Sequence, residues 1–154
     1  MIVYRLGKEQ FSRDLTGKGA QLSGGRWNCV GKAVIYTSES RALCVAEIAV
    51  HIPLGIIPDN YVLVTIEIPN EIRIQKIRQN VLNPDWRSFP YVQSTHLIGD
   101  KFLKQNRSLV LQVPSAVIPG DFNYLINPAH KDIARIKIIK TEPFLFDERL
   151  FDKK

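Results

Sequence analysis

The segment YVLVTIEI, Tyr61 to Ile68, alternates along its length. Val62, Val64, Ile66 and Ile68 fall on one side, and Tyr61, Leu63, Thr65 and Glu67 on the other. A period of two in β-branched residues predicts a strand with a strongly apolar inner face. Shorter runs predict further strands: MIVYRL from Met1, AVIYTS from Ala33, SLVLQVP from Ser108, DFNYLIN from Asp121 and ARIKIIK from Ala134. In the last, Ile136 and Ile138 alternate with Arg135 and Lys137.

Beyond AVIYTS the period lengthens. Ser38 or Ser40 can cap a helix, because a serine oxygen accepts an orphan backbone N–H. That helix runs through RALCVAEIAVHI and stops at Pro53. A second helix is predicted over Thr95 to Gln105, where Leu97, Ile98, Phe102 and Leu103 approach helical spacing and Gly99 interrupts. Residues 7–32 are polar and glycine-rich, hence loop with a short helical piece at most. NPDWRSFPYVQ, broken by two prolines, is loop as well. The strands cluster late and do not alternate strictly with helices. The expected class is α+β rather than a doubly wound parallel sheet.

Composition changes this picture little. The 154 residues fit one domain, 1–154, able to bury a core without staples. No apolar run approaches the ~20 residues of a membrane span, and MIVYRLGKEQ lacks a signal peptide's apolar core. Cys29 and Cys44 have no metal-ligand spacing. A cytoplasmic protein with reduced thiols is expected. The net charge of +6 suits anionic partners without choosing among them. Its positive residues are scattered, with no run longer than Lys153–Lys154, which argues against a dedicated nucleic-acid groove.

The candidate chemistry starts at GKGAQLSGGRWN, Gly17 to Asn28. It lacks the third glycine of a dinucleotide fingerprint and the strand that should precede it. It also lacks the Gly-Lys-Ser/Thr ending of a phosphate loop. Composition alone favours a plain loop with an exposed arginine; the functional alternative presents the planar fork of Arg26 to phosphate. Glu47 has no Lys or Arg at i±3 or i±4, in a run otherwise apolar apart from His51. Such an acid lies either on the helix's one wet stripe or in a cleft.

Taken together, VYRLGK, GKGAQLSGGRWN, AVIYTSES, ALCVAEIAVHI, LIGDKFL, VLQVPSAVIPGDFNYLINPAHKD and PFLFDERL resemble the RES domain, the toxin of RES–Xre toxin–antitoxin pairs. These pieces cover nearly the whole chain in family order. The resemblance implies an ADP-ribosyltransferase-like fold, with two small sheets around an NAD cleft and flanking helices. It implies NAD as substrate, with inorganic phosphate or water as acceptor, and no cofactor or metal. The family arginine falls on Arg26, its tyrosine on Tyr36 and its glutamate on Glu47. The serine falls on Ser115, with Ser88 as the weaker candidate. Arg26, Glu47 and Ser115 are the expected catalytic residues, and Tyr36, Arg26 and Asn127 the expected NAD-binding ones. Arg5 also lies in a matched motif.

The chemistry suits these residue types. Breaking the nicotinamide–ribose bond leaves positive charge on the ribose. Nicotinamide departs neutral, so what the site needs is a negative group near the cation, which Glu47 can supply. The resemblance further implies an Xre-type antitoxin partner, and leaves room for homo-oligomers within that complex, without membrane or direct nucleic-acid contact. Two alternatives stay open at this point. One is a protein mono-ADP-ribosyltransferase; the other is a basic RNA-binding or ribonuclease toxin, which a steep salt-dependent RNA affinity would mark.

Overall fold

The computed structural model describes residues 1–152; Lys153 and Lys154, part of the domain expected over 1–154, lie outside the described residues. The strands are β1 (Ile2–Lys8), β2 (Ile35–Ser38), β3 (Tyr61–Glu67), β4 (Ile74–Lys76), β5 (Val110–Pro114), β6 (Phe122–Ile126) and β7 (Lys137–Phe144). The helices are α1 (Lys18–Ser23), α2 (Arg41–Ala49) and α3 (Gln93–Gln105). The α+β class is what the structure has. The expected pair of small sheets is not: the strands form one mixed sheet in the order β4-β5-β6-β2-β1-β3-β7. Among the described strands only β4 and β5 run parallel.

The reason for the difference lies at the middle of the sheet. β1 and β3 pair over seven residues, and β2 and β6 over four. β1 and β2 meet at the single pair Tyr4↔Ser38. One bridge makes the two halves a single sheet, and beyond it β1 and β2 diverge. The functional cleft lies beside this seam.

Strand parity decides what faces where. Val3, Ile35, Val64, Val110 and Ile126 build the core on one face. On the other face, Leu111, Val113 and Leu125 pack with Trp27, Trp86 and Phe102 of α3. Leu6 and Leu63, also on this second face, pack with Cys44 of α2 and with Phe146 and Phe151. Thus α3 covers one half of the face, α2 the other, and a gap is left between them. The outer side of β3 is consequently buried too: Leu63 is in the core and Thr65 is buried, because α2 and the C-terminal segment cover a side that alternation alone leaves ambiguous.

Two helix details follow from local chemistry. Ser40 caps α2, its hydroxyl oxygen accepting from the Leu43 N–H at 3.0 Å. The helix ends at Ala49, three residues short of the expected Ile52, and its last turn tightens to His51 N–H→Ile48 O and Ile52 N–H→Ala49 O. Pro53 disfavours helical geometry at the residue before it, which accounts for the early end. Gly99, the interruption in α3, sits where a Cβ would overlap the Trp27 carbonyl oxygen. The glycine that weakens the helix is the one that lets it close on the RWN segment.

Candidate active site

Glu47 lies on α2, half-buried, at the edge of a cleft of about 990 Å³ between the two covered halves of the face. Its Oε1 accepts from Ser115 Oγ at 2.8 Å and from Asn123 Nδ2 at 2.6 Å. Both partners come from the opposite half of the sheet. Asn123 is on β6, where Ser38 of β2 donates to its Oδ1 at 2.7 Å, which orients the amide with its nitrogen toward Glu47. Ser115 continues the inward parity of Leu111 and Val113 and is 1% exposed. Its oxygen also accepts from the Val117 and Ile118 N–H groups at 3.1 and 3.0 Å. Those two bonds turn its hydrogen toward Glu47. The carboxylate is therefore held by two donors, with no lysine or arginine ion-paired to it among the described residues.

Arg26 lines the same cleft. Its Nη1 donates to the Trp86 and Ser88 carbonyls at 2.6 and 3.1 Å, and its guanidinium lies over the Tyr91 ring at 5.0 Å. Burial lowers the guanidinium's pKa, with Tyr91, Glu47 and Tyr36 acting against that in this order. An arginine so placed stays cationic at neutral pH. Nε and Nη2 have no hydrogen-bond partner among the described residues, so part of the fork remains for a ligand.

Tyr36, on β2, is also in the cleft wall. Its hydroxyl donates to Asn28 Oδ1 at 2.7 Å and accepts from the Trp27 N–H at 3.1 Å. Burial pushes its pKa up, so it remains a neutral donor. Gly25 makes room for it: a Cβ there would come within 2.7 Å of the Tyr36 hydroxyl oxygen. The glycine loop is thus a scaffold. Asn28 ties it further, its amide donating to the Ala20, Cys29 and Lys32 carbonyls.

One expected residue falls elsewhere. Asn127 does not reach the cleft. It is 2% exposed, donates to Asn106 Oδ1 at 2.9 Å and accepts from the Ala129 N–H at 3.0 Å. It ties the end of α3 to the loop after β6. Arg5, in a matched motif, clamps the Phe11, Ser12 and Asp14 carbonyls and borders a small recess that Glu47 also lines. Of the two candidate serines, Ser115 reaches Glu47 with its side chain, whereas Ser88 meets Arg26 through its backbone carbonyl. Cys44 borders a small recess beside Glu47. Burial pushes its thiol up to about 11, which leaves it an unreactive thiol at neutral pH.

Residues 2–147 match the RES domain. The chain belongs to the RES domain family. The Prs ADP-ribosylating toxin of Sphingobium sp. (strain YBL2) is a relative with 39% identity over 142 residues, covering 91% of this chain and 88% of that protein. Toxin Res of Photorhabdus laumondii subsp. laumondii is 34% identical over 157 residues, covering 100% and 99%. The RES fold seen here is also that of a chain in the crystal structure of the M. tuberculosis MbcT–MbcA toxin–antitoxin complex. That match has a TM-score of 0.71 at 20% identity, over 97% of this chain and 86% of the other.

Within this RES domain the residue that the sequence reading missed is Asn123. Its signal was present: in DFNYLIN it is a polar residue at the inward parity of Leu125, and a buried polar group needs a partner. No group of three or more His, Cys, Asp or Glu among the described residues is placed to hold a metal ion, and no described helix is long and apolar enough to cross a membrane.

The roles of Ser115 can be separated from those of Glu47. Ser115→Ala removes a donor to the carboxylate and the acceptor of two backbone N–H groups. The expected cost is about 1–3 kcal/mol of stability, because buried groups lose their partners. Chemical denaturation checks it, and a variant as stable as wild type would show that the Ser115 hydroxyl does not anchor the turn.

Proposed function

We propose that this chain is a toxin that consumes NAD, cleaving the nicotinamide–ribose bond by phosphorolysis to ADP-ribose-1″-phosphate and nicotinamide. The observation that carries this reading is Glu47. A carboxylate without a cationic ion-pair partner, fixed by Ser115 and Asn123 at a cleft that also holds Arg26, is arranged to meet positive charge. The bond from C1′ to the nicotinamide nitrogen breaks, and its electron pair leaves with neutral nicotinamide. The ribosyl cation develops next to Glu47. A phosphate oxygen then bonds to C1′. Arg26 retains donors for an anion, either the NAD pyrophosphate or the attacking phosphate. The Tyr36 hydroxyl is committed to the glycine loop, so its contribution is the ring face, against nicotinamide.

A second reading keeps the same cleavage and changes the acceptor to a protein side chain. It is favoured by the relative named Prs ADP-ribosylating toxin, at 39% identity. In both readings the chain acts in the cytoplasm and is held inactive by an Xre-type antitoxin. The structural likeness to a chain from a toxin–antitoxin complex supports such a partner.

The deciding experiment incubates pure, antitoxin-free protein with NAD, with and without phosphate. The expected result is release of nicotinamide, faster with phosphate. NAD left intact across pH and phosphate concentrations would refute the reading. Equal consumption without phosphate would remove phosphorolysis alone, and label from NAD retained on protein would select the second reading.

A further inference from the structure

Phe89 stands out in the cleft wall. It is 72% exposed, three residues after buried Trp86. Isolated surface phenylalanines are ordinary, but this one is held in place. Arg26 pins the Trp86 and Ser88 carbonyls, the second of them immediately before Phe89. Tyr91, over which Arg26 lies, meets Phe89 at 5.3 Å between ring centroids with the planes 85° apart. The His51 ring is 6.1 Å away, centroid to centroid. Two neighbouring rings meet it, and most of its surface is left open.

The placement also brings unlike groups into one cleft. Glu47 on α2 and His51, just past its end, line the same cleft as Arg26 and Phe89. Arg26 lies over the Tyr91 ring, and that ring meets Phe89. The cleft therefore offers a carboxylate, a guanidinium and an exposed aromatic ring. A dinucleotide presents the matching set: reacting ribose, pyrophosphate, second base.

We propose that Phe89 is the stacking platform for the second base of the substrate, so that the site selects dinucleotides over mononucleotides. The assignment rests on the NAD-cleaving reading for the identity of the substrate. The cleft, at about 990 Å³, has room for both halves of a dinucleotide. Stacking one base on an aromatic side chain strengthens binding by roughly tenfold, and up to about a hundredfold. Such stacking tolerates different bases, because every base has a π face, so the platform selects for a base rather than for adenine alone.

The experiment compares wild type with Phe89→Ala and Phe89→Tyr in antitoxin-free protein. It measures kcat and KM for NAD and for nicotinamide mononucleotide, and the Kd of ADP by calorimetry. The exposed position makes a folded Ala variant expected, which a thermal melt checks. Wild type should prefer NAD over the mononucleotide. In Phe89→Ala that preference should fall by about tenfold, through KM rather than kcat, and ADP should bind about tenfold more weakly. Phe89→Tyr, which keeps a ring, should restore both. A Phe89→Ala protein that keeps its preference for NAD and its affinity for ADP would overturn the proposal, as would equal losses on NAD and the mononucleotide. If wild type cleaves neither substrate, yet binds ADP in a way that Phe89→Ala abolishes, the platform stands and the NAD-cleaving reading falls. Failure of wild type to bind ADP would overturn the platform whatever the turnover.

Discussion

Glu47→Gln should lose NAD cleavage by about 10²–10³-fold while melting with the wild type. The substitution keeps the size and planarity of the side chain. The remaining carbonyl oxygen has two lone pairs, enough for the Ser115 hydroxyl and the Asn123 amide that meet Oε1. What disappears is the charge. Removing one preorganised electrostatic group from a transition state typically costs a rate factor of this size. The stability change should stay within about 0.5 kcal/mol, because no described ion pair to Glu47 is broken. Rate and melting temperature, measured on one preparation, separate the two contributions. A folded Glu47→Gln protein that turns over NAD at the wild-type rate would remove Glu47 from the chemistry.

Gly99→Ala should be among the most damaging single-methyl additions in the molecule. Two effects oppose each other. Alanine favours the helix by about 1 kcal/mol over glycine. Against that, the new Cβ would overlap the Trp27 carbonyl oxygen and crowd its carbonyl carbon. Backbone cannot swing aside as a flexible side-chain end can. Overpacking of this kind costs typically 1–3 kcal/mol and occasionally more, and a backbone obstacle belongs at the upper end. A net loss of about 2 kcal/mol corresponds to roughly 4–8 °C in a chain of this length. The displaced partner is Trp27, so Arg26 beside it should shift and NAD turnover should fall as well. Calorimetry checks the first effect; a variant melting at or above the wild-type temperature would show that α3 is not seated on Trp27 as described.

How far the sequence could be read depended on whether the deciding contact was local. The Ser40 cap and the strand alternation of Tyr61 to Glu67 are local, and the structure has them; Ile136 and Ile138 do share one core, but the strand expected from Ala134 begins at Lys137, after a 3-10 turn over Ile133–Arg135. β4 went unread because Ile74–Lys76 is three residues long and pairs with β5, more than thirty positions later. The joining of two sheets into one hangs on the pair Tyr4↔Ser38, for which no local pattern exists. The same limit governed the site. Asn123 and Asn127 share one parity in DFNYLIN, so alternation cannot rank them. They are four residues apart, about 13 Å along an extended strand. One end of that span lies at Glu47 and the other at the end of α3. Arg26 was legible as a cationic fork, whereas its grip on the Trp86 and Ser88 carbonyls joins residues 60 and 62 positions apart. Glu47 could be singled out because its lack of a helical ion-pair partner is itself a local fact.

The single pairing between β1 and β2 has a mechanical consequence. A sheet joined by one rung at its middle is a hinge unless something fastens it, and Glu47 is one of the fasteners. Its helix packs on the β1–β3 half, while Ser115 and Asn123 belong to the β5–β6 half. The bonds that aim the carboxylate are thus stitches across a seam. On the proposed function, a ribosyl cation that draws the carboxylate also pulls on the joint between the halves. The chemistry and the rigidity of this molecule are then two readings of one set of bonds, and a ligand at Glu47 should alter amide exchange on both sides of the crack.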